Sequence, residues 1–148
     1  MNYKFVPMNT DYANIIYNWV YSGYMEKIFM QPYFDNFNEL TGEMKGPGGC
    51  DGYAVLNKDE LVGLFEYYFK GEIMEIGLAL SPDYVGKGLS KKFIMQGVNF
   101  GITNFNYKKD YIKLSVEEDN HAAFKAYLKV GFKENNRSDN EIEMRLYL

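Results

Sequence analysis

One stretch, Ile73 to Gly101 (IMEIGLALSPDYVGKGLSKKFIMQGVNFG), limits the folds open to this chain more than any other. It runs an apolar strand into a glycine-bearing turn, and the turn into a basic helix. Met74, Ile76, Leu78 and Leu80 fall on one face at period two; Ile73, Glu75, Gly77 and Ala79 fall on the other. The first face is wholly apolar and packs into a core. The second is small, carries one carboxylate, and leaves room for something to lie against the sheet. Pro82 closes the strand register because it has no N–H to donate. In Val85-Gly86-Lys87-Gly88-Leu89-Ser90, alternate glycines let successive N–H groups turn toward one point. The helix from about Leu89 adds its positive dipole end, and Lys87, Lys91 and Lys92 add charge. This arrangement suits a phosphate or pyrophosphate. Without such a ligand, the same residues read as a tight connection followed by solvated lysines. Neither G-x-x-x-x-G-K-[ST] nor G-x-G-x-x-G is present.

The flanking elements build a sheet around that strand. Tyr3 to Val6 reads as a strand closed by Pro7. Thr10 or Asp11 is predicted to cap a helix with the stripe Ala13, Ile16, Tyr17, Val20 and Tyr21, stopped by Gly23. A short helix is predicted over Tyr24 to Met30, ended by Gln31-Pro32, and a further helical turn or two over Asn36 to Met44. The run GEMKGPGGCDG, from Gly42 to Gly52, reads as a mobile loop that exposes Cys50, an incidental thiol. Tyr53 to Leu56 and Leu61 to Phe69 form a hairpin about Asn57 to Glu60, and Lys70-Gly71 turns into the 73–80 strand, completing an antiparallel meander. After the glycine turn, Leu89, Phe93, Gly97 and Phe100 stripe a helix, with Ile94 and Val98 beside them. Asp110 to Glu117 is the next strand. Asp119 or Asn120 caps a helix ending at Gly131, and two strands follow, from Phe132 and over Glu141 to Leu148. The last can serve as an exposed edge and pairing site. The expected architecture is a single α/β domain over residues 1–148, a mixed central β-sheet flanked by helices.

Length and composition narrow the function. The chain has 148 residues, which fits one domain. Hydrophobic residues at 47% and charged residues at 24% are ordinary, but aromatics reach 18%, so any pocket will be rich in Tyr and Phe. A net charge of −4 argues against nucleic acid as a partner. The lone cysteine leaves no internal disulfide, and no His, Cys and carboxylate set has the spacing of a metal site. No apolar run approaches the roughly 20 residues of a membrane span. The N-terminal MNYKFVPMNTDY lacks a basic start and an apolar core, so a cytoplasmic protein without a membrane partner is expected.

Two motifs carry a resemblance. Asp83-Tyr84-Val85-Gly86-Lys87-Gly88 resembles motif A of the GNAT superfamily of N-acetyltransferases, Q/R-x-x-G-x-G/A, with both glycines in place. Asp83 stands where the family has Gln or Arg, and Val85 where an Arg often precedes the first glycine. Downstream, Asn120, Ala123, Tyr127, Gly131 and Phe132 match N-x-x-A-x-x-x-Y and its Gly-Phe ending. With the meander, the resemblance spans about 52–148.

The resemblance implies an acyltransferase that moves the acetyl group of acetyl-coenzyme A (acetyl-CoA) to a primary amine by direct transfer in a ternary complex. The acceptor would be a small molecule or a protein N-terminus. Ala79 and Leu80 would offer backbone groups to the pantetheine arm. Val85, Gly86, Lys87, Gly88, Leu89 and Ser90 would hold the pyrophosphate, and Asn120 would reach the pantetheine arm or the adenosine side. Such chemistry needs a base, because an amine attacks only when neutral and a lysine-like amine has a pKa of about 10.4. Glu75 is the first candidate and Glu66 the second; each also reads as a solvated strand charge. Ser115 occupies the position where some relatives place a base. Tyr127, otherwise a core aromatic at helical spacing, would protonate the leaving thiolate. The acceptor pocket would draw on Trp19, Tyr21, Tyr24, Phe29, Tyr33 and Phe34. His121 reads as a surface residue. A non-catalytic acyl-CoA-binding module on the same fold is the alternative, separated by its lack of turnover. A monomer and a homodimer both fit the sequence.

Overall fold

The computed structural model describes residues 2–22 and 27–148. Its seven strands are β1 (Tyr3–Pro7), β2 (Asp51–Asn57), β3 (Glu60–Lys70), β4 (Ile73–Leu80), β5 (Tyr111–Glu117), β6 (Lys133–Ser138) and β7 (Glu141–Tyr147). They form one sheet in the order β1-β2-β3-β4-β5-β7-β6. Every neighbouring pair is antiparallel except β4 with β5. The parallel pair needs a crossover, and α3 (Ser90–Asn104) supplies it. The mixed α/β sheet expected from the sequence is present, including the meander of β2, β3 and β4.

Alternation along β3 divides the core in two. Phe65 and Tyr67 point into a cluster with Phe93, Ile94 and Val98 of α3, Met74 and Ile76 of β4, and Ile112, Leu114 and Val116 of β5. Ala123, Phe124 and Tyr127 of α4 (His121–Val130) pack against the same cluster. Leu64, one residue out of phase with Phe65, joins the other cluster with Ala13 and Ile16 of α1 (Thr10–Tyr17) and Tyr33 of α2 (Gln31–Asp35). Thus α3 and α4 cover one face, and α1 and α2 cover the other. Among the described residues no helix is long and apolar enough to cross a membrane.

The N-terminal third departs from the sequence reading. Asn9 caps α1, its side chain accepting from the Tyr12 N–H at 2.9 Å. The helix stops at Tyr17, so Val20 is 79% exposed rather than part of a buried stripe. Pro32 does not end a helix but lies in the first turn of α2, where its missing N–H costs nothing. Residues 27–30 are not helical, and Gly23 and Tyr24 fall outside the described residues. Asn36 to Met44 is a turn closed by a bridge between Phe37 and Met44, with Asn38 bonding the Leu40 and Thr41 N–H groups. The glycine-rich run packs as a short 3-10 turn over Pro47–Gly49 and buries Cys50 to 4% exposure. At the far edge, β7 lies between β5 and β6, so β6 and not the last strand is the open edge. Polar side chains throughout KENNRS hid that order from a hydrophobicity pattern.

Candidate active site

The site grows out of the seam between β4 and β5. Glu75 and Lys113 are the residues that pair across it; beyond them β4 runs on to Leu80 and β5 to Glu117 without pairing to each other. The two strands therefore splay. At the closed end, the Tyr107 hydroxyl accepts from the Met74 N–H at 3.2 Å and donates to the Tyr111 carbonyl at 2.5 Å, joining β4 to β5. Lys113 lies 4.0 Å from Glu75 and 3.9 Å from Glu143, which adds an ionic link across β4, β5 and β7.

Backbone direction along the splay follows from the ladder. Ser81 N–H donates to the Val62 carbonyl at 2.8 Å, so Ser81 and its alternates Ala79 and Gly77 direct their backbone groups to β3. Leu78 and Leu80, in phase with Met74, turn theirs into the splay. Ala79 therefore lends the cleft its surface, while Leu78 and Leu80 lend it hydrogen-bonding groups. Tyr21, from the segment after α1, donates its hydroxyl to the Leu80 carbonyl. Burial pushes the Tyr21 phenol up to about 12.

The turn after β4 has the geometry its sequence demands. Gly86 and Gly88 adopt φ of +77° and +74°, and a Cβ at either would meet nothing within 4 Å. These left-handed positions turn the intervening N–H groups to one side, over open space. Leu89 stands at the N-cap of α3 without a side-chain cap, which leaves the first-turn N–H groups available to a ligand.

A cavity of about 290 Å³ joins these parts. Leu78, Ala79 and Leu80 form one wall, and Val85, Gly86 and Ser90 close the turn end. Asn120, Ala122, Ala123, Ala126 and Tyr127 form the opposite wall on α4. The structure thus gathers Ala79, Leu80, Val85, Gly86, Ser90, Asn120 and Tyr127 at one cleft. Lys87, Gly88 and Leu89 continue the turn beyond its lining. The Asn120 side chain accepts from the Ala123 N–H at 3.2 Å, so its carbonyl caps α4 and its amide N–H₂ remains for a ligand. Ala122 and Ala126 are wall residues outside the motif positions; the run HAAFKAY signals them by its small side chains. Tyr127 packs edge-on against Phe132 at 5.9 Å, and burial pushes its phenol up to about 12. Among the described residues, no hydrogen bond is made to its hydroxyl.

The cleft suits a slender, partly apolar molecule with an anionic end, and acetyl-CoA has that form.

On the other face of β4 lies a buried polar group. Glu66 is 9% exposed. Tyr33 donates to Glu66 Oε2 at 2.6 Å, and Tyr68 donates to Oε1 at 3.1 Å. The Cys50 thiol lies 3.9 Å from the Tyr33 hydroxyl; burial first, then the Glu66 charge, pushes it up to about 12. Burial raises the Glu66 pKa despite the two phenolic donors, which pull the other way. Of the predicted acceptor aromatics, Tyr33 is thus buried against Glu66 and Phe29 is 65% exposed. Ser115 is exposed on β5 and His121 is exposed on α4. Among the described residues no cluster of His, Cys, Asp or Glu is placed to hold a metal ion.

Comparison with known proteins agrees with this geometry. The profile described as "Acetyltransferase (GNAT) family" matches residues 13–132. Spermidine N(1)-acetyltransferase of Escherichia coli (strain K12) is 27% identical over 129 residues, covering 87% of this chain and 66% of that enzyme. The crystal structure of Campylobacter jejuni N-acetyltransferase PseH in complex with acetyl coenzyme A superposes with a TM-score of 0.73 at 15% identity, covering 99% of each chain. Spermidine/spermine N-acetyltransferase SpeG from Vibrio cholerae gives 0.69 at 17% identity, covering 98% of this chain and 92% of that one. The chain belongs to the acetyltransferase (GNAT) family.

Proposed function

We propose that this protein is an N-acetyltransferase that transfers the acetyl group of acetyl-CoA to a primary amine. The single observation that carries the reading is the β4–β5 splay opening onto the left-handed Gly86/Gly88 turn and the uncapped start of α3. Acetyl-CoA supplies an acetyl thioester. Leu78 and Leu80 hold the arm by backbone groups, and the N–H groups from Gly86 to Ser90 take the pyrophosphate. The Leu78 N–H, turned into the splay, is placed to stabilise negative charge that develops on the thioester oxygen. Tyr127 donates a hydrogen bond to the departing sulfur from the α4 wall.

The acceptor is an amine that enters from the α1–α2 side, where Tyr21 borders the cleft mouth. Spermidine is the first amine to try, because a spermidine acetyltransferase is among the similar proteins.

Calorimetric titration with acetyl-CoA tests the reading, beside a Gly86→Glu variant that puts a carboxylate where the pyrophosphate would sit. Micromolar-range binding to the wild type and its loss in the variant is the expected result. A folded wild type that binds no acetyl-CoA overturns the proposal.

A further inference from the structure

The buried group around Glu66 does not line the cleft. Its placement nonetheless ties it to the reaction centre. Glu66 stands opposite Gly77 in the β3–β4 register. Gly77 lies two residues beyond Glu75, where the splay begins. A Cβ on Gly77 would come within 3.4 Å of Glu66 Oε1 and 3.6 Å of the Tyr68 ring. The missing side chain leaves Glu66 and Tyr68 against bare backbone one residue before Leu78, the first β4 residue of the cleft wall. Tyr127 packs with the cluster on the opposite face of the sheet.

The carboxyl is also built to meet a cation. The groups acting on it are Tyr33 from α2, Cys50 from the segment before β2, and Tyr68 from its own strand. None of these is a cation, and none is charged at neutral pH. The charges nearest in register are already paired, Asp51 with Lys45 beside β2 and Glu75 with Lys113 at 4.0 Å. A buried carboxylate without a cationic partner is costly, and an arriving ammonium would relieve it. Its raised pKa brings it nearer the working pH, as a base requires.

We propose that Glu66, reached through the Tyr68 hydroxyl, accepts the proton of the acceptor amine on the face of β4 opposite Tyr127. The inference rests on the acetyltransferase reading above. The amine arrives as an ammonium. One N–H proton passes to the Tyr68 oxygen as the Tyr68 proton passes to Glu66 Oε1, freeing the nitrogen lone pair. The C–N bond then forms and the C–S bond breaks, with its electron pair leaving on sulfur. The second proton from nitrogen balances the thiolate, so the products are amide and thiol. Glu66 returns to carboxylate by losing its proton to water. Tyr33 is a positioning residue that fixes the second carboxylate oxygen.

The test is the pH dependence of spermidine acetylation by wild type, Glu66→Gln, Tyr68→Phe and Glu75→Gln, with acetyl-CoA binding measured on each. We expect Glu66→Gln to bind acetyl-CoA as the wild type does, to lose about 100-fold or more in kcat, and to lose the acid limb of the wild-type profile. Tyr68→Phe should lose kcat while KM for acetyl-CoA holds. A Glu66→Gln enzyme with wild-type kcat and an unchanged acid limb overturns the proposal, as does a limb lost in Glu75→Gln but kept in Glu66→Gln. Should Glu66→Gln fail to fold, Tyr68→Phe decides by the same criterion of kcat. A wild type that binds acetyl-CoA but acetylates neither spermidine nor any other amine in a panel overturns the acetyltransferase reading and this inference with it.

Discussion

Tyr127→Phe removes one oxygen from the α4 wall and leaves the ring against Phe132, so its effect reads the hydroxyl alone. The size of that effect follows from the phenol's environment. Burial pushes Tyr127 up to about 12, whereas a thiol such as that of coenzyme A sits near ~8.5. Complete proton transfer from one to the other would be uphill by about 3.5 pKa units, or about 5 kcal/mol. The hydroxyl therefore stays protonated and works as a hydrogen-bond donor to the developing thiolate. A hydrogen bond to a charged group contributes about 1.5–3 kcal/mol, which is about 10- to 150-fold in kcat. Steady-state acetylation of spermidine, followed by thiol release, measures this. KM for acetyl-CoA should change little, because the bond forms only as charge reaches the sulfur. The reasoning is refuted by a loss below about 3-fold, outside the range set by a charged hydrogen bond. It is equally refuted by a wild-type basic limb near pH 8–9 that vanishes in Tyr127→Phe, since a phenol held near 12 cannot titrate there.

Tyr107→Phe should lower stability by about 2 kcal/mol, because it strands the Met74 N–H and the Tyr111 carbonyl at the closed end of the splay. A thermal melt should show a drop of roughly 4–8 °C; an unchanged Tm would mean that water or another group replaces the hydroxyl. Glu66→Gln should stabilise the protein as pH rises. The folded pKa of Glu66 lies above its unfolded value of about 4.3, so the folded state holds the extra proton and the wild type loses stability as pH climbs from that unfolded value through the raised one. The Tm of Glu66→Gln minus that of wild type should therefore grow between pH 4 and pH 8, and a constant difference would contradict the raised pKa.

The sheet and the residues gathered at the cleft could be read from the chain because their signals are local. Alternation over Met74 to Leu80, two glycines at set spacing, and Asn120, Ala123 and Tyr127 on one helix face each declare themselves within a dozen residues. On the α1–α2 side the sequence names Tyr21, Tyr33 and Glu66 among its candidates but not the contacts that join them. Tyr33 reaches Glu66 across 33 positions, and Tyr21 reaches Leu80 across 59. Tyr107, which closes the splay, lies in a loop where nothing marks it apart from the other tyrosines. The extent of α1, the α2 helix and the turn over Asn36 to Met44 escape the sequence pattern for a related reason. Short polar segments with Asn and Pro take their conformation from side-chain caps and from packing on the sheet, so their intrinsic pattern is weak. β6 has no apolar alternation at all, and its place at the edge is set by its partner β7.

The β3 strand, ELVGLFEYYFK, poses the sharper question of why a carboxylate interrupts its buried face. Leucine at position 66 would continue the face begun by Leu64 and would avoid the cost of burying a charge. Instead, four other positions, Tyr33, Gly52, Tyr68 and Gly77, are shaped around the carboxyl. Tyr33 is fully buried against it, and a Cβ at Gly52 would come within 2.0 Å of the Tyr33 hydroxyl, so that position must stay bare for the ring to reach. Tyr68 supplies the second donor, and Gly77 carries no side chain where one would meet Oε1 at 3.4 Å. A residue retained for packing would not require donors on both oxygens. Where a sequence breaks its own pattern and its neighbours are shaped to preserve the break, the break marks chemistry rather than folding. On that argument the β3 carboxyl, not the ion-paired Glu75 at the closed end, is the group on which acceptor activation turns.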